Sequence, residues 1–91
     1  MEQNYPNPFN PSTTIKFTIP GVGDENFRPL RTHLIVYDIL GREVATILNQ
    51  ELQPGNHEVG FDASNFASGI YFYKISIDNE FISTKKMLVL K

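Results

Sequence analysis

Polar and apolar residues alternate with a period of two along most of this chain, and that period predicts strands. Thr14-Ile15-Lys16-Phe17-Thr18-Ile19 shows it cleanly, with Ile15, Phe17 and Ile19 on the core side and Thr14, Lys16 and Thr18 toward water. Pro20 and Gly21 stop this strand. The stretch from Gly21 to Arg31 is rich in turn formers and charge, with Phe27 and Leu30 as anchors for a loop or a short edge strand. Thr32 to Leu40 is apolar on both parities, the pattern of a central strand. Glu43 to Leu52 carries Val44, Ile47 and Leu48 at helical spacing, so a helical turn or two competes there; its brevity favours a strand. His57, Val59 and Phe61 alternate with Glu58 and Gly60. Ile70 to Ile77 is the richest strand, with Tyr71, Tyr73, Ile75 and Ile77 on one face and Ile70 and Phe72 on the other. Phe81 to Leu90 predicts the last.

The turns between these segments have their own chemistry. Asp38-Ile39-Leu40-Gly41 places aspartate first and glycine fourth, the signature of a type I turn closed by a left-handed glycine in a three-residue hairpin. Gln53-Pro54-Gly55-Asn56 puts proline and glycine where a type II turn needs them. Asp78-Asn79 suits a two-residue hairpin, since both residues tolerate positive φ. The polar corner from Asp62 to Gly69 leads into Gly-x-Tyr, as in the tyrosine corner of immunoglobulin-like domains, and Tyr71 is the residue to fill that role. Strands and turns together predict an all-β fold, an immunoglobulin-like antiparallel β-sandwich of about seven strands.

Upstream, Asn4-Tyr5-Pro6-Asn7-Pro8-Phe9-Asn10-Pro11 cannot be helical, because each proline removes a donor and holds its predecessor extended. Tyr5 and Phe9 share parity, so an extended lead strand is expected to dock both rings on the body, its prolines blunting an exposed edge. The 91 residues have room for one domain, with residues 1–12 as the lead segment and 13–91 as the body. A core this thin needs nearly every apolar side chain.

Composition narrows the function. A net charge of −2 argues against the electropositive field of a nucleic-acid binder, and the cysteine count of 0 excludes disulfides and thiolate chemistry. No apolar run approaches the ~20 residues of a membrane-spanning helix. Met1-Glu2-Gln3 lacks the pattern of a signal peptide, so an export signal would belong to a larger precursor. His33, His57, Asp38 and Asp62 fall in no catalytic or metal-binding pattern, so neither an enzyme nor a cofactor is expected. Tyr5, Phe9, Phe27, Tyr37 and Tyr73 offer rings for a sugar-stacking strip, although tryptophan is absent. Lys85, Lys86 and Lys91, with Lys74 on the neighbouring strand, read either as edge lysines that oppose aggregation or as a surface for an acidic partner.

Four blocks then stand in order: Tyr5-Pro6-Asn7-Pro8-Phe9-Asn10-Pro11, Val36-Tyr37-Asp38-Ile39-Leu40-Gly41-Arg42-Glu43-Val44, Gly69-Ile70-Tyr71-Phe72-Tyr73-Lys74 and Thr84-Lys85-Lys86-Met87-Leu88-Val89-Leu90-Lys91. Together they resemble the type A C-terminal sorting domains of the type IX secretion system, the Por secretion tail family. The resemblance implies a non-catalytic signal that directs a fused N-terminal cargo through the periplasm and across the outer membrane. Its partners would be the type IX translocon and a surface sortase that cleaves the domain or attaches the cargo to the cell surface. On the motif positions it implicates Pro6, Asn7, Pro8, Asp38, Gly41, Gly69, Tyr71, Lys86 and Lys91. Asp38, Gly41 and Gly69 would act through folding, the terminal strand and its lysines through contact. The connection from Pro20 to Thr32 is longer than the short turn expected, and the cut site should lie near or before Met1 to Tyr5. Two other readings stay open, a carbohydrate-binding accessory module and a structural cap similar to the sandwich of flagellar-hook scaffolds. A dimer also stays open.

Overall fold

The computed structural model describes residues 1–8, 11–20 and 29–90. Phe9, Phe27 and Lys91, and the expectations attached to them, lie outside these residues. Six strands follow one another: β1 (Ser12–Ile19), β2 (Leu30–Tyr37), β3 (Glu43–Leu52), β4 (Gly55–Asp62), β5 (Gly69–Ile77) and β6 (Glu80–Val89). β1 and β4 form one antiparallel sheet, and the other four form a second in the order β3-β2-β5-β6. The chain therefore crosses between sheets after β1, β3 and β4. The fold is an all-β sandwich, with six strands where about seven were expected; the lead segment supplies a partial further rung through a Tyr5–Thr14 bridge.

The core lies between the sheets. Ile15, Phe17 and Ile19 from β1 meet Leu34 and Val36 from β2, Tyr73 and Ile75 from β5, and Met87 and Val89 from β6. The period-two pattern is thus burial against a facing sheet. Beside this core Phe66 packs on Phe61 and Tyr71, with ring centroids 5.5 and 5.3 Å apart. β2 is central as its two-sided apolar run requires, flanked by β3 and β5.

The helical competitor over Glu43 to Leu52 gives way to a strand, and the register explains its misleading spacing. Leu34 pairs with Leu48 and Ile35 with Thr46, which leaves Ile47 as an extra residue; Val36 pairs with Ala45 and Tyr37 with Glu43, which leaves Val44 extra. Two bulges interrupt the alternation and place apolar residues three and four apart.

Two of the three turns close hairpins, β2–β3 and β5–β6, whereas Gln53-Pro54-Gly55-Asn56 carries the chain from one sheet to the other. Gly41 donates its N–H to the Asp38 carbonyl at 3.0 Å, with Gly41 at φ +82°. Asp78 and Asn79 take φ +55° and +65°, matching the right-handed twist of β5 and β6. Gly55 opens β4 at φ +131°, a conformation side chains disfavour.

The lead segment departs from expectation. Tyr5 does not dock; it is 80% exposed. Asn4 is the residue driven inward, because its amide groups find partners there. Its backbone N–H donates to the Tyr73 hydroxyl at 2.7 Å, and its Nδ2 donates to Thr13 Oγ1 and to the Pro6 carbonyl, each at 3.0 Å. Tyr73 in turn donates to the Glu2 carbonyl at 3.1 Å, and Thr13 to the Pro6 carbonyl at 2.8 Å. A hydrogen-bonded polar cluster replaces the anticipated aromatic anchor.

Candidate docking edge and turn cleft

The described residues among those implicated gather in two places. The first is the β2–β3 turn and the start of β5. Asp38 Oδ1 accepts the N–H groups of Leu40 at 2.9 Å and Arg42 at 3.0 Å, while Arg42 Nε donates to Oδ2 at 2.7 Å. These contacts, the Arg42 amide foremost, hold the Asp38 carboxyl below its ordinary pKa against an opposing push from desolvation. Three hydrogen bonds to one carboxylate fix the turn, and the turn projects Ile39 and Leu40 outward, 69% and 72% exposed.

Ile39 separates two open clefts. One, of about 380 Å³, joins Asp38 and Arg42 to Gly69, Ile70 and Tyr71. The other, of about 290 Å³, lies over the outer face of the four-stranded sheet and is lined by Tyr37, Phe72, Lys74 and Thr84. Residues from the second and third sequence blocks, far apart in the chain, thus share one surface. Tyr71 plays its corner part, its hydroxyl donating to the Ala67 carbonyl at 2.8 Å. Gly69 takes φ +148° at the entry to β5.

The second place is the open side of β6, which is an edge strand. Asn7 Oδ1 accepts the Leu88 N–H at 2.9 Å, and Gln3 Nε2 donates to the Lys86 carbonyl at 2.6 Å. The N–H and C=O of one strand residue face the same neighbour, and this alternates along the strand. Lys86 and Leu88 therefore present their backbone groups away from β5. Thr84 has the same parity, paired with Lys74 as Lys86 is with Phe72 and Leu88 with Ile70. Pro6 lends its carbonyl to Asn4 and Thr13, and Pro8 is exposed. The Tyr5–Pro6 and Asn7–Pro8 peptide bonds are cis.

Several expectations need revision. Lys85 and Lys86 do not share a face. Lys85 pairs with Tyr73 on the inward side and is half-buried, whereas Lys86 faces outward. Lys74 sits 5.1 Å over the Tyr37 ring, a cation–π contact. Among the described rings of the expected strip, Tyr73 is buried, Tyr37 lies under Lys74 and Tyr5 projects beside β1, so these three do not share a face. Among the described residues no cluster of three or more His, Asp or Glu could hold a metal ion, and no helix is long and apolar enough to cross a membrane. Gln3, Asn4 and Thr13 carry much of the seam yet lacked a sequence signal beyond lying in or next to the lead segment and β1.

An edge strand with partly open backbone groups and an apolar turn between shallow clefts are features of a β-sandwich docking module. The chain matches the family model described as secretion system C-terminal sorting domain over residues 3–90, and it belongs to that family. Comparison with curated proteins and with solved structures gave no match. Membership makes it a C-terminal sorting signal of the type IX secretion system. A fused N-terminal cargo, the type IX machinery and export through the outer membrane to the surface or medium follow from the family.

Proposed function

We propose that the outward edge of β6 is what the export machinery reads, by adding a strand to it. The observation behind this reading is the position of β6 at the end of the order β3-β2-β5-β6, with Thr84, Lys86 and Leu88 directing backbone groups away from β5. Main-chain pairing supplies affinity in such additions, and side chains beside the edge supply choice of partner. Lys86 and Thr84 point to the same outer face as Ile39 and Phe72, so the edge and the apolar turn can be read together. On this reading Asp38, Gly41, Gly69 and Tyr71 act by building the turn cleft, while Asn7, Lys86 and the following Lys91 act at the terminal edge. Pro6 and Pro8 shape the bend of the lead segment, and Pro6 lends its carbonyl to Asn4 and Thr13. The domain is a non-catalytic passenger of the machinery in transit through the periplasm, and a surface sortase cuts upstream of its folded part.

A reporter enzyme carrying a signal peptide and residues 1–91 tests the reading in a strain with a type IX system. Expected is activity at the surface or in the medium, lost when β6 is removed from Phe81 onward. Retention of the intact fusion in the periplasm would contradict it.

A further inference from the structure

The lead segment lies between the edges of the two sheets and bonds to both. Its backbone zips onto β1: the Glu2 N–H donates to the Lys16 carbonyl at 2.9 Å, and Tyr5 and Thr14 exchange bonds of 3.0 and 2.9 Å. Its side chains reach the other way. Gln3 takes the Lys86 carbonyl and Asn7 takes the Leu88 N–H. A side-chain amide carries the same donor and acceptor as a peptide group, so these two residues stand where a neighbouring strand would. They run in the direction of β6, Gln3 before Asn7 as Lys86 before Leu88. Neither reaches the half of β6 from Glu80 to Thr84.

We propose that the lead segment is a displaceable strap over the terminal edge. An incoming strand pairs first with the half around Thr84, which Gln3 and Asn7 leave uncovered, then takes Lys86 and Leu88 from them. The two arrangements exclude each other, since both use the same carbonyl and N–H. The strap is built to yield there and hold elsewhere. The Gln3 and Asn7 bonds to β6 are exposed, so water replaces them at small net cost. The bonds that tie Asn4 to Tyr73 and Thr13 are buried, and losing them leaves polar groups unsatisfied. Asn4 is therefore the fixed point, and the edge contacts on either side of it release. The inference deepens the edge reading above and rests on it.

Amide hydrogen exchange on the 91-residue chain, joined to the export reporter, tests it. In Asn7→Ala the Leu88 amide should exchange about tenfold faster, the equivalent of one hydrogen bond. Met87 and Val89, which pair with Tyr71 and Gly69, should keep their rates. Asn7→Asp keeps an acceptor and should keep Leu88 slow. The Gln3→Ala reporter, which releases the Lys86 carbonyl and keeps Asn7, should be exported at least as fast as the parent. An unchanged Leu88 rate, or a rise shared by every β6 amide, would overturn the strap, as would a loss of export in Gln3→Ala. If the edge reading itself is wrong, blocking the uncovered half by Thr84→Pro leaves export intact whatever Leu88 does, so the two failures are distinct.

Discussion

The Tyr73 hydroxyl accepts the backbone N–H of Asn4 at 2.7 Å and joins residues 69 apart in the chain. It also donates to the Glu2 carbonyl, so one phenol on β5 holds two backbone groups of the lead segment. Tyr73→Phe keeps the ring and leaves the buried Asn4 N–H without its partner, a loss of roughly 1–3 kcal/mol. Chemical denaturation measures it, and a double-mutant cycle with Asn4→Ala should show coupling between the two sites. Additive losses would mean that the cluster does not act as a unit.

Tyr73 also sets an alkaline limit. Burial raises its pKa above the ordinary value of 10.0, partly offset by the Asn4 hydrogen bond. Folding therefore favours the protonated phenol. Its contribution is full below pH 10, falls as the unfolded chain begins to ionise, and is gone once the pH passes the folded value. Stability measured between pH 9 and 11 should fall more steeply in the parent than in Tyr73→Phe.

Asp38 gives the opposite sign at the acid end. Its folded pKa is lowered, chiefly by the Arg42 amide, so its contribution is present above the ordinary carboxylate value and is lost as pH falls through the folded one. Asp38→Asn should be less stable at pH 7 and should lose part of the acid-side slope, as read by thermal unfolding across pH 2 to 6. An unaltered slope would remove Asp38 from this account.

Gly41 has no atom within 4 Å of a built Cβ, so space does not constrain it; its φ of +82° does. Gly41→Ala should cost about 1 kcal/mol from backbone conformation alone, without moving the core.

Much of this architecture is legible in the residues. Ile15, Phe17 and Ile19 announce β1 by alternation, and Asp38 with Gly41 announces its hairpin, because both signals depend on neighbours in sequence. Tyr71 could be matched to the Ala67 carbonyl since the contact spans four residues. Long-range polar pairing is a different matter. Nothing local distinguishes Asn4 from Asn7, yet one is buried against Tyr73 and Thr13 and the other caps Leu88. Tyr5 looked like an anchor because aromatic rings usually bury, but the backbone bonds of Tyr5 to Thr14 turn its ring outward. Two of the lysines likewise shared a segment without sharing a face. Lys85 and Lys86 are adjacent, and adjacency on a strand means opposite sides.

The most direct measurement is export of the reporter carrying Thr84→Pro, with Thr84→Ala as its side-chain control. Proline at an outward-facing edge position removes a donor that β5 does not use, so the sandwich should still fold. The variant should accumulate in the periplasm, folded, while Thr84→Ala reaches the surface or medium. Export of a folded Thr84→Pro fusion at the parent rate would contradict the claim that the β6 edge is the surface being read.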